Sequence, residues 1–426
     1  MGSANLRKVM NSGVGTAEES AMQAAHMTRA SAGVTQAMEV SQLQAHIRTL
    51  ITLEEDESPI VTCYVHRAIG RNDSGPPLFE GRVRAVRGVL RGQQLDCFEE
   101  AFGRIQRYLA KEVRPTTRGV AIFARAGARP FFLGLQFQVP LPNRLSVGST
   151  PDIYHLVELK DTYHRYVVLI STEESARILE VNLGAITREV WAERPELRER
   201  VGREWTHEHY QNHRRDRGER FLKEKIEILE KLMAAGGHTH LILAGSSPMT
   251  ARIRNCLPKH LRARLIDVVP VSSSALAVDV VAATLSSFIE REQQESLDAV
   301  ADLVSALRRG GLGVAGTVAT LEALRRGQAD VLVMARAYEP APGWCCRNCG
   351  WADAAASLPK RCAGCDSTEL QSADLKEVMV KLAERQSLEV ELVQHSDVLM
   401  ALGGVGCLLR YATLDAWEET VDLGGS

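Results

Sequence analysis

The 426-residue sequence has no apolar run approaching the roughly 18–20 residues needed to cross a bilayer. Its N-terminus also lacks the charged-then-apolar order of a secretion signal. These two absences point to a cytoplasmic protein. An excess of charge of one sign is missing as well: 51 Lys and Arg stand against 53 Asp and Glu, a net charge of −2. A surface that coats nucleic acid on every side is thereby excluded, while local basic patches are not. No G-x-x-x-x-G-K-[ST] occurs, so the chain has no phosphate-binding loop of that kind. The stretch GLGVAG (311–316) matches G-x-G-x-x-G, but it follows a long helical stretch instead of a strand and is read as a turn. Internal repeats are absent.

What is present is ordinary for a globular chain, with 45% hydrophobic and 24% charged residues, and the length suits two to four domains. Residues 1–35, rich in Ala, Ser, Gly, Met and Thr, read as a flexible tail. An N-terminal α/β domain (36–147) follows, with a strand at 59–66 and helices near 80–91 and 95–111. Its strands at 118–127 and 130–139 read as a hairpin. The central domain (148–274) opens with two strands, 165–172 and 177–184, and a charged stretch, 186–220. A helix with Leu222, Ile226, Leu229 and Met233 at helical spacing comes next, closed by Gly236-Gly237. Strands at 240–247 and 264–271 flank a further helix, an alternation that predicts an α/β fold with a largely parallel sheet. The C-terminal domain (275–426) begins with a helix near 275–309. It continues through a strand at 329–335, a helix at 374–385 and a strand at 387–393.

Four of the nine cysteines, Cys63, Cys97, Cys256 and Cys407, lie scattered among apolar residues, as buried thiols do. The other five crowd into 345–365 as CCRNCGWADAAASLPKRCAGC. Cys346-x₂-Cys349 and Cys362-x₂-Cys365 supply four thiolates in two knuckles, a set that suits one tetrahedral zinc ion in an insert spanning 343–368. Gly350 and Gly364 are expected to allow tight turns after and within the knuckles. Cys345 is a spare that could replace Cys346. Such a site has no open coordination position, so the zinc is expected to be structural.

A second conspicuous stretch is WTHEHYQNHRRDRGERFLKEK (205–225), just ahead of the amphipathic helix. His207 and His209 lie two apart, whereas ligand pairs on helices prefer spacings of three or four. No carboxylate–histidine order for acid–base work stands out. A charged, solvated helix start and a patch for RNA phosphates and bases fit about equally well: Arg and Lys take phosphate, while Tyr, His and Arg planes stack on bases.

The C-terminal segments GVAGTVATLEALRRGQADVLVM and SLEVELVQHSDVLMALGGVGCLLRY resemble the C-terminal domain of the archaeal and eukaryotic class 1 peptide-chain release factors and of Pelota. That family carries a T-x-x-A-L-x-x-G helix and closes on G-G-[IV]-G-[AG]-[IL]-L-R-Y; residues 317–334 and 403–411 match, with Cys407 at the usual small residue. Some archaeal members carry a cysteine-knuckle minidomain at the same insertion point. The resemblance implies a three-domain release-factor/Pelota-like α/β architecture. Its departures are in the working motifs. Where catalytic members have a Gly-Gly-Gln loop at the head of the central helix, this chain has Tyr210-Gln211-Asn212-His213. Where they have the stop-codon Asn-Ile-Lys-Ser, it has Arg91-Gly92-Gln93-Gln94.

A bacterial branch without those motifs acts in ribosome hibernation, filling the vacant A site. The resemblance therefore implies a stress-response, ribosome-binding role with no catalytic residue. His209, Tyr210, Gln211, Asn212, His213, Arg214, Arg215 and Arg217 would face ribosomal RNA near the peptidyl-transferase centre. Arg91, Gln93 and Gln94 would face the decoding side. The C-terminal domain would contact a translational GTPase, elongation factor Tu being the expected one. Neither membrane nor DNA is implied. A Pelota-like rescue factor, and a divergent peptidyl-tRNA hydrolase in which Gln211 orients water, are the alternatives.

Overall fold

The computed structural model describes residues 37–67, 79–172, 175–193, 207–272, 274–355 and 357–411; the expected tail, 1–35, lies outside them. It is a mixed α/β protein, with four sheets among the described residues. Its contacts form two compact units, one containing Arg165–Phe288 and the other containing Met38–His164 and the chain from Ile289 onward. Among the described residues, no helix is long and apolar enough to cross a membrane.

In the first part of the bipartite unit the expected strand–helix–helix–strand–strand order is present, with a helix ahead of it and a fourth strand, in a stretch that reads as a loop, behind it. It runs α1 (Val40–Ile51), β1 (Ile60–His66), α2 (Glu80–Val89), α3 (Gly92–Lys111), β2 (Gly119–Arg125), β3 (Phe131–Phe137) and β4 (Arg144–Gly148). The strands form an antiparallel sheet in the order β3-β2-β1-β4. Val61, Cys63 and Val65 face one side by strand alternation, where Phe98, Ala101 and Ile105 of α3 cover them. Tyr108 of α3 lies over Gly134 of β3, so close that a Cβ there would come within 2.4 Å of the ring. Helix α4 (Tyr154–Thr162) then belongs to this same unit.

The central unit holds the antiparallel strands β5 (Tyr166–Ser171), β6 (Ser175–Asn182) and β7 (Ala185–Glu193) and helix α5 (His207–Gly236). It continues with β8 (His240–Gly245), α6 (Ser247–Cys256), α7 (Lys259–Ala263) and β9 (Leu265–Pro270). The sheet order is β7-β6-β5-β8-β9, parallel only between β5 and β8 and between β8 and β9. The expectation of a largely parallel sheet is thus corrected: the strand β7 was hidden in the charged stretch. Leu183 and Gly184, at φ 49° and 71°, turn β6 back onto β7, the two-residue left-handed geometry that suits hairpins. Leu222, Ile226, Leu229 and Met233 of α5 pack on one face of the sheet. Val280, Val281 and Phe288, from the start of helix α8 (Ala277–Arg308), pack on the other. The α5 stripe includes a buried Lys225, whose Nζ donates to Ser171 Oγ at 2.8 Å and Thr172 O at 2.7 Å. Gly237, at φ 61°, ends α5 as the sequence suggested, and His238 N–H donates back to Met233 O at 3.1 Å.

After α8 the bipartite unit resumes with β10 (Gly313–Ala315), α9 (Thr317–Arg325), β11 (Ala329–Ala335), β12 (Gly343–Cys346), β13 (Ala352–Ala354) and β14 (Leu370–Ala373). Helix α10 (Leu375–Arg385), β15 (Glu389–Val393), α11 (Asp397–Ala401) and β16 (Val405–Leu409) complete it. Residues 313–315 of GLGVAG are themselves the short strand β10, where a turn was expected. The sheet order is β10-β16-β11-β15, with β11 and β15 parallel. The closing glycines have distinct physical roles. Gly403 and Gly404 turn the chain at φ 96° and 76°, where a side chain is strained. Gly406 lies in β16 with its Cβ position 2.6 Å from Val314 O and 2.7 Å from a Leu303 methyl. Because a backbone carbonyl cannot move aside, Gly406→Ala should cost about 2 kcal/mol or more. Denaturant unfolding of the full chain should show the loss, whereas unchanged stability would mean β16 shifts freely.

Candidate functional site

The cysteine knuckles are built by local backbone geometry. β12 enters, and its alternation turns Cys345 and Cys346 to opposite sides. Cys346, Cys349, Cys362 and Cys365 place their sulfurs within 4.8 Å of one another. Cys346 Sγ is 3.6 Å from Cys365 Sγ, and Cys349 Sγ is 3.5 Å from Cys362 Sγ. A tetrahedron of sulfurs with metal–sulfur bonds of about 2.3 Å has edges of about 3.8 Å. The four residues therefore fit a metal ion.

Cys345 is not part of the group. Its half-buried sulfur accepts from Gln371 Nε2 at 3.4 Å, and burial pushes its pKa up, which disfavours the thiolate a metal needs. Cys346, not Cys345, belongs to the four-sulfur group that could hold an ion.

The first knuckle turns as expected and the second does not. Gly350 follows Cys349 at φ 74° as predicted, with its N–H donating to Cys346 O at 2.9 Å. In the second knuckle the left-handed residue is Asp366, at φ 59°, and its N–H donates to Cys362 O at 2.9 Å. Gly364 has another role: a Cβ there would sit 2.7 Å from the Trp351 ring, so its smallness lets that ring close over the knuckle. The Ser367 backbone N–H and the Asn348 carboxamide hold the Cys365 thiol down, to about 6, in favour of thiolate. Few apolar side chains support this insert: Trp344, Cys346 and Cys362 form its small buried cluster, with Trp351, Ala355 and Leu370 against it. Arg325 of α9 stacks its guanidinium on Trp351, 3.8 Å from the ring centre.

The expected decoding-side residues lie at the turn between α2 and α3. Arg91 is the N-cap of α3, with Nη1 donating to Leu90 O at 2.7 Å, and Gly92 has φ 53°. Gln93 and Gln94 are exposed. Both line a 460 Å³ cleft with Asp56, Leu90, Ser149 and Arg347. Arg347, between the first two metal ligands, was missed in the sequence, and its place inside the first knuckle was the available signal.

His209 through Arg217 fall within the backbone span of α5, which begins at His207 and so includes most of the stretch read as lying ahead of the helix. The side chains of His209, Tyr210, Gln211, Asn212, His213, Arg214, Arg215 and Arg217 lie outside the described residues.

Because four thiolates replace a hydrophobic core here, metal should hold the insert folded. One metal ion per chain is expected by elemental analysis of reduced protein. Cys349→Ser should remove it and loosen 340–370 in hydrogen exchange, while Cys345→Ser should retain it. Metal loss in Cys345→Ser would overturn this ligand set.

Comparison with known proteins gives one family. Residues 151–288 match the bacterial archaeo-eukaryotic release factor family 10. No curated protein matches the chain. Among solved structures, an archaeal translation termination factor, aRF1, is 14% identical over 89% of this chain and 100% of its own, with a TM-score of 0.25. Pelota of Archaeoglobus fulgidus is 12% identical over 89% and 95%, TM-score 0.34. An archaeal Pelota, described with ABCE1 on the ribosome, is 15% identical over 89% and 96%, TM-score 0.38. Over residues 151–288 the chain is similar to bacterial archaeo-eukaryotic release factor family 10.

Proposed function

We propose that the chain is a ribosome-binding hibernation factor that fills the vacant A site and hydrolyses nothing. The observation that carries this reading is the α5 backbone. It is helical from His207 through Tyr210-Gln211-Asn212-His213, and no glycine lies between Gly202 and Gly218. This is the segment similar to a release-factor family. Ester hydrolysis by such a factor needs a backbone loose enough to set a donor and a water beside the peptidyl ester. A helical Tyr-Gln-Asn has each residue's φ and ψ confined, and only glycine offers the wider freedom. A helix start leaves its first N–H groups without partners inside the helix and is the positive end of its dipole, and Arg214, Arg215 and Arg217 follow in the sequence, which suits phosphate.

In this reading Tyr210 and His213 stack on unpaired bases and the arginines take the backbone. Arg91, Gln93 and Gln94 lie on the decoding side. The C-terminal sheet meets a translational GTPase, elongation factor Tu. The metal held by Cys346, Cys349, Cys362 and Cys365 is zinc, matched by an all-thiolate tetrahedral set, and it keeps the knuckle folded without entering any reaction.

Binding to ribosomes should be steep in salt, falling about 10³–10⁵-fold between 50 and 200 mM if roughly 6–10 phosphates are engaged. Tyr210→Ala should weaken it by about 5- to 150-fold, the loss of one stacking side chain. The test of the whole reading uses ribosomes with a labelled peptidyl-tRNA in the P site. Wild-type protein should release no peptide and should block tRNA from the A site. Release above background, abolished by Gln211→Ala, would make the chain a hydrolase instead.

A further inference from the structure

The central unit carries a second basic surface away from the helix head, in the run SPMTARIRNCLPKHLRAR (247–264). It holds Arg252, Arg254, Lys259, Arg262 and Arg264 and no Asp or Glu, in a chain whose net charge is −2. The fold gathers part of this run around a cleft of 490 Å³ lined by Ser247, Thr250, Arg254, Asn255, Arg262 and Val268. Two guanidiniums, two hydroxyls and a carboxamide face it, and no carboxylate lines it.

The cations divide into structural and free ones. Arg264 Nη1 donates to His238 O at 2.9 Å, and Arg262 Nη2 caps carbonyls of Asn255 and Leu257 at 3.0 and 3.3 Å. Arg254 has no hydrogen-bond or ion-pair partner among the described residues. The nearby acids are otherwise occupied. Glu230 pairs with His260 at 2.9 Å, and Asp267 Oδ1 accepts from Val268 N–H at 2.7 Å. The Arg252 guanidinium lies 3.8 Å from the Cβ position of Gly218, the residue directly after Arg217 in α5. Arg252 does not line the cleft, but it sets a cation beside the helix whose sequence carries Arg214, Arg215 and Arg217.

We infer that this cleft binds phosphate of an RNA backbone, as a second contact for the polyanion that the proposed function places at the head of α5. Arg254 supplies the free guanidinium, whose planar fork matches phosphate oxygens, and the remaining Arg262 donors, Ser247 Oγ and the Asn255 amide complete the donor set. Arg252 extends the track toward α5. The inference rests on that functional reading for its partner, but its chemistry can be tested without ribosomes.

The probe is a fluorescein-labelled 20-nucleotide single-stranded RNA, titrated with the full metal-loaded chain across a salt series. The variant is the double substitution Arg252→Glu/Arg254→Glu, both exposed and without a role in holding the fold. Arg308→Glu/Arg309→Glu serves as the equal change in net charge. The double variant should bind about tenfold or more weakly. Its plot of log affinity against log salt should be shallower by about 1.4, two phosphates at roughly 0.7 each for a single strand. The control pair should leave the slope unchanged. Equal affinity and slope in wild type and Arg252→Glu/Arg254→Glu would overturn the cleft while leaving ribosome binding to be judged by sedimentation. Loss in the variant with no sedimentation of wild type on ribosomes would keep the cleft and sink the hibernation reading. Arg254-dependent binding of ATP or inorganic phosphate that the RNA fails to displace would overturn the RNA assignment in favour of a mononucleotide site.

Discussion

The Glu377 carboxylate lies largely shielded at the N-terminus of α4, where it accepts from Ile153 N–H at 2.7 Å and from Tyr154 N–H at 3.0 Å, with Lys381 Nζ 3.2 Å away. Burial pushes its pKa up to about 7, and Lys381 and the Ile153 N–H oppose the rise. A carboxylate there satisfies two of the donors that a helix start leaves unbonded and complements its dipole. The rest of α4 is pinned along its length. Lys160 pairs with the buried Glu384, Asp161 accepts from Leu392 N–H, and Arg336 reaches Thr162. Ahead of the helix, Tyr64 donates to Asp152 O at 2.7 Å and Lys381 donates to Thr150 at 2.8 Å. Residues 149–164 therefore join the N-terminal antiparallel sheet to the C-terminal sheet. That is the physical reason these parts, distant in sequence, form one compact unit.

The same joint places the cysteine knuckle. β14 leads directly into α10, and Gly343 at the start of β12 lies so close to Leu375 that a Cβ would come within 2.3 Å of its side chain. Gln371 of β14 accepts from Arg347 Nε at 2.8 Å and donates to Ser149 Oγ at 3.2 Å. Arg347 is thus aimed into the cleft beside Gln93 and Gln94 by a chain of contacts that begins at the helix carrying Glu377. A folded knuckle is a condition for that cleft's shape, and this gives a four-thiolate site consequences beyond its own insert.

Most elements could be read from periodicity because they are decided locally: β-branched runs gave the strands, and the Leu222, Ile226, Leu229, Met233 spacing gave α5. What was not legible depends on contacts between distant residues. β7 reads as a charged stretch because it is an edge strand of the sheet, where Arg188 and Glu189 are tolerated, and Glu189 is recruited by Arg177 across the pair at 2.8 Å. The choice of Cys346 over Cys345 required the register of β12. Asp366, in a conformation that favours glycine, gave no local sign, whereas Gly364 misled because its smallness serves a ring and not a turn. The grouping within 247–264 is not legible in the sequence because its cations are spaced along two helices and a loop, and only the fold shows that Arg254 and Arg262 line one cavity.

Charge distribution then constrains how such a chain can meet a polyanion. The run 247–264 contributes five positive charges and no negative ones, so the remaining residues sum to −7, from −2 minus 5. A nucleic acid therefore meets a locally positive segment on a chain whose remaining charge sums to a negative value. Like-charge repulsion discriminates against wrong orientations as strongly as attraction favours the right one. Salt screens both effects beyond a Debye length of about 8 Å at physiological ionic strength, so selection of the docking face operates in the last few ångströms of approach. A near-neutral protein can therefore be specific for one orientation on RNA without being sticky toward RNA in general. That combination demands that its cations be concentrated, and the acid-free segment beside α5 is where this fold concentrates them.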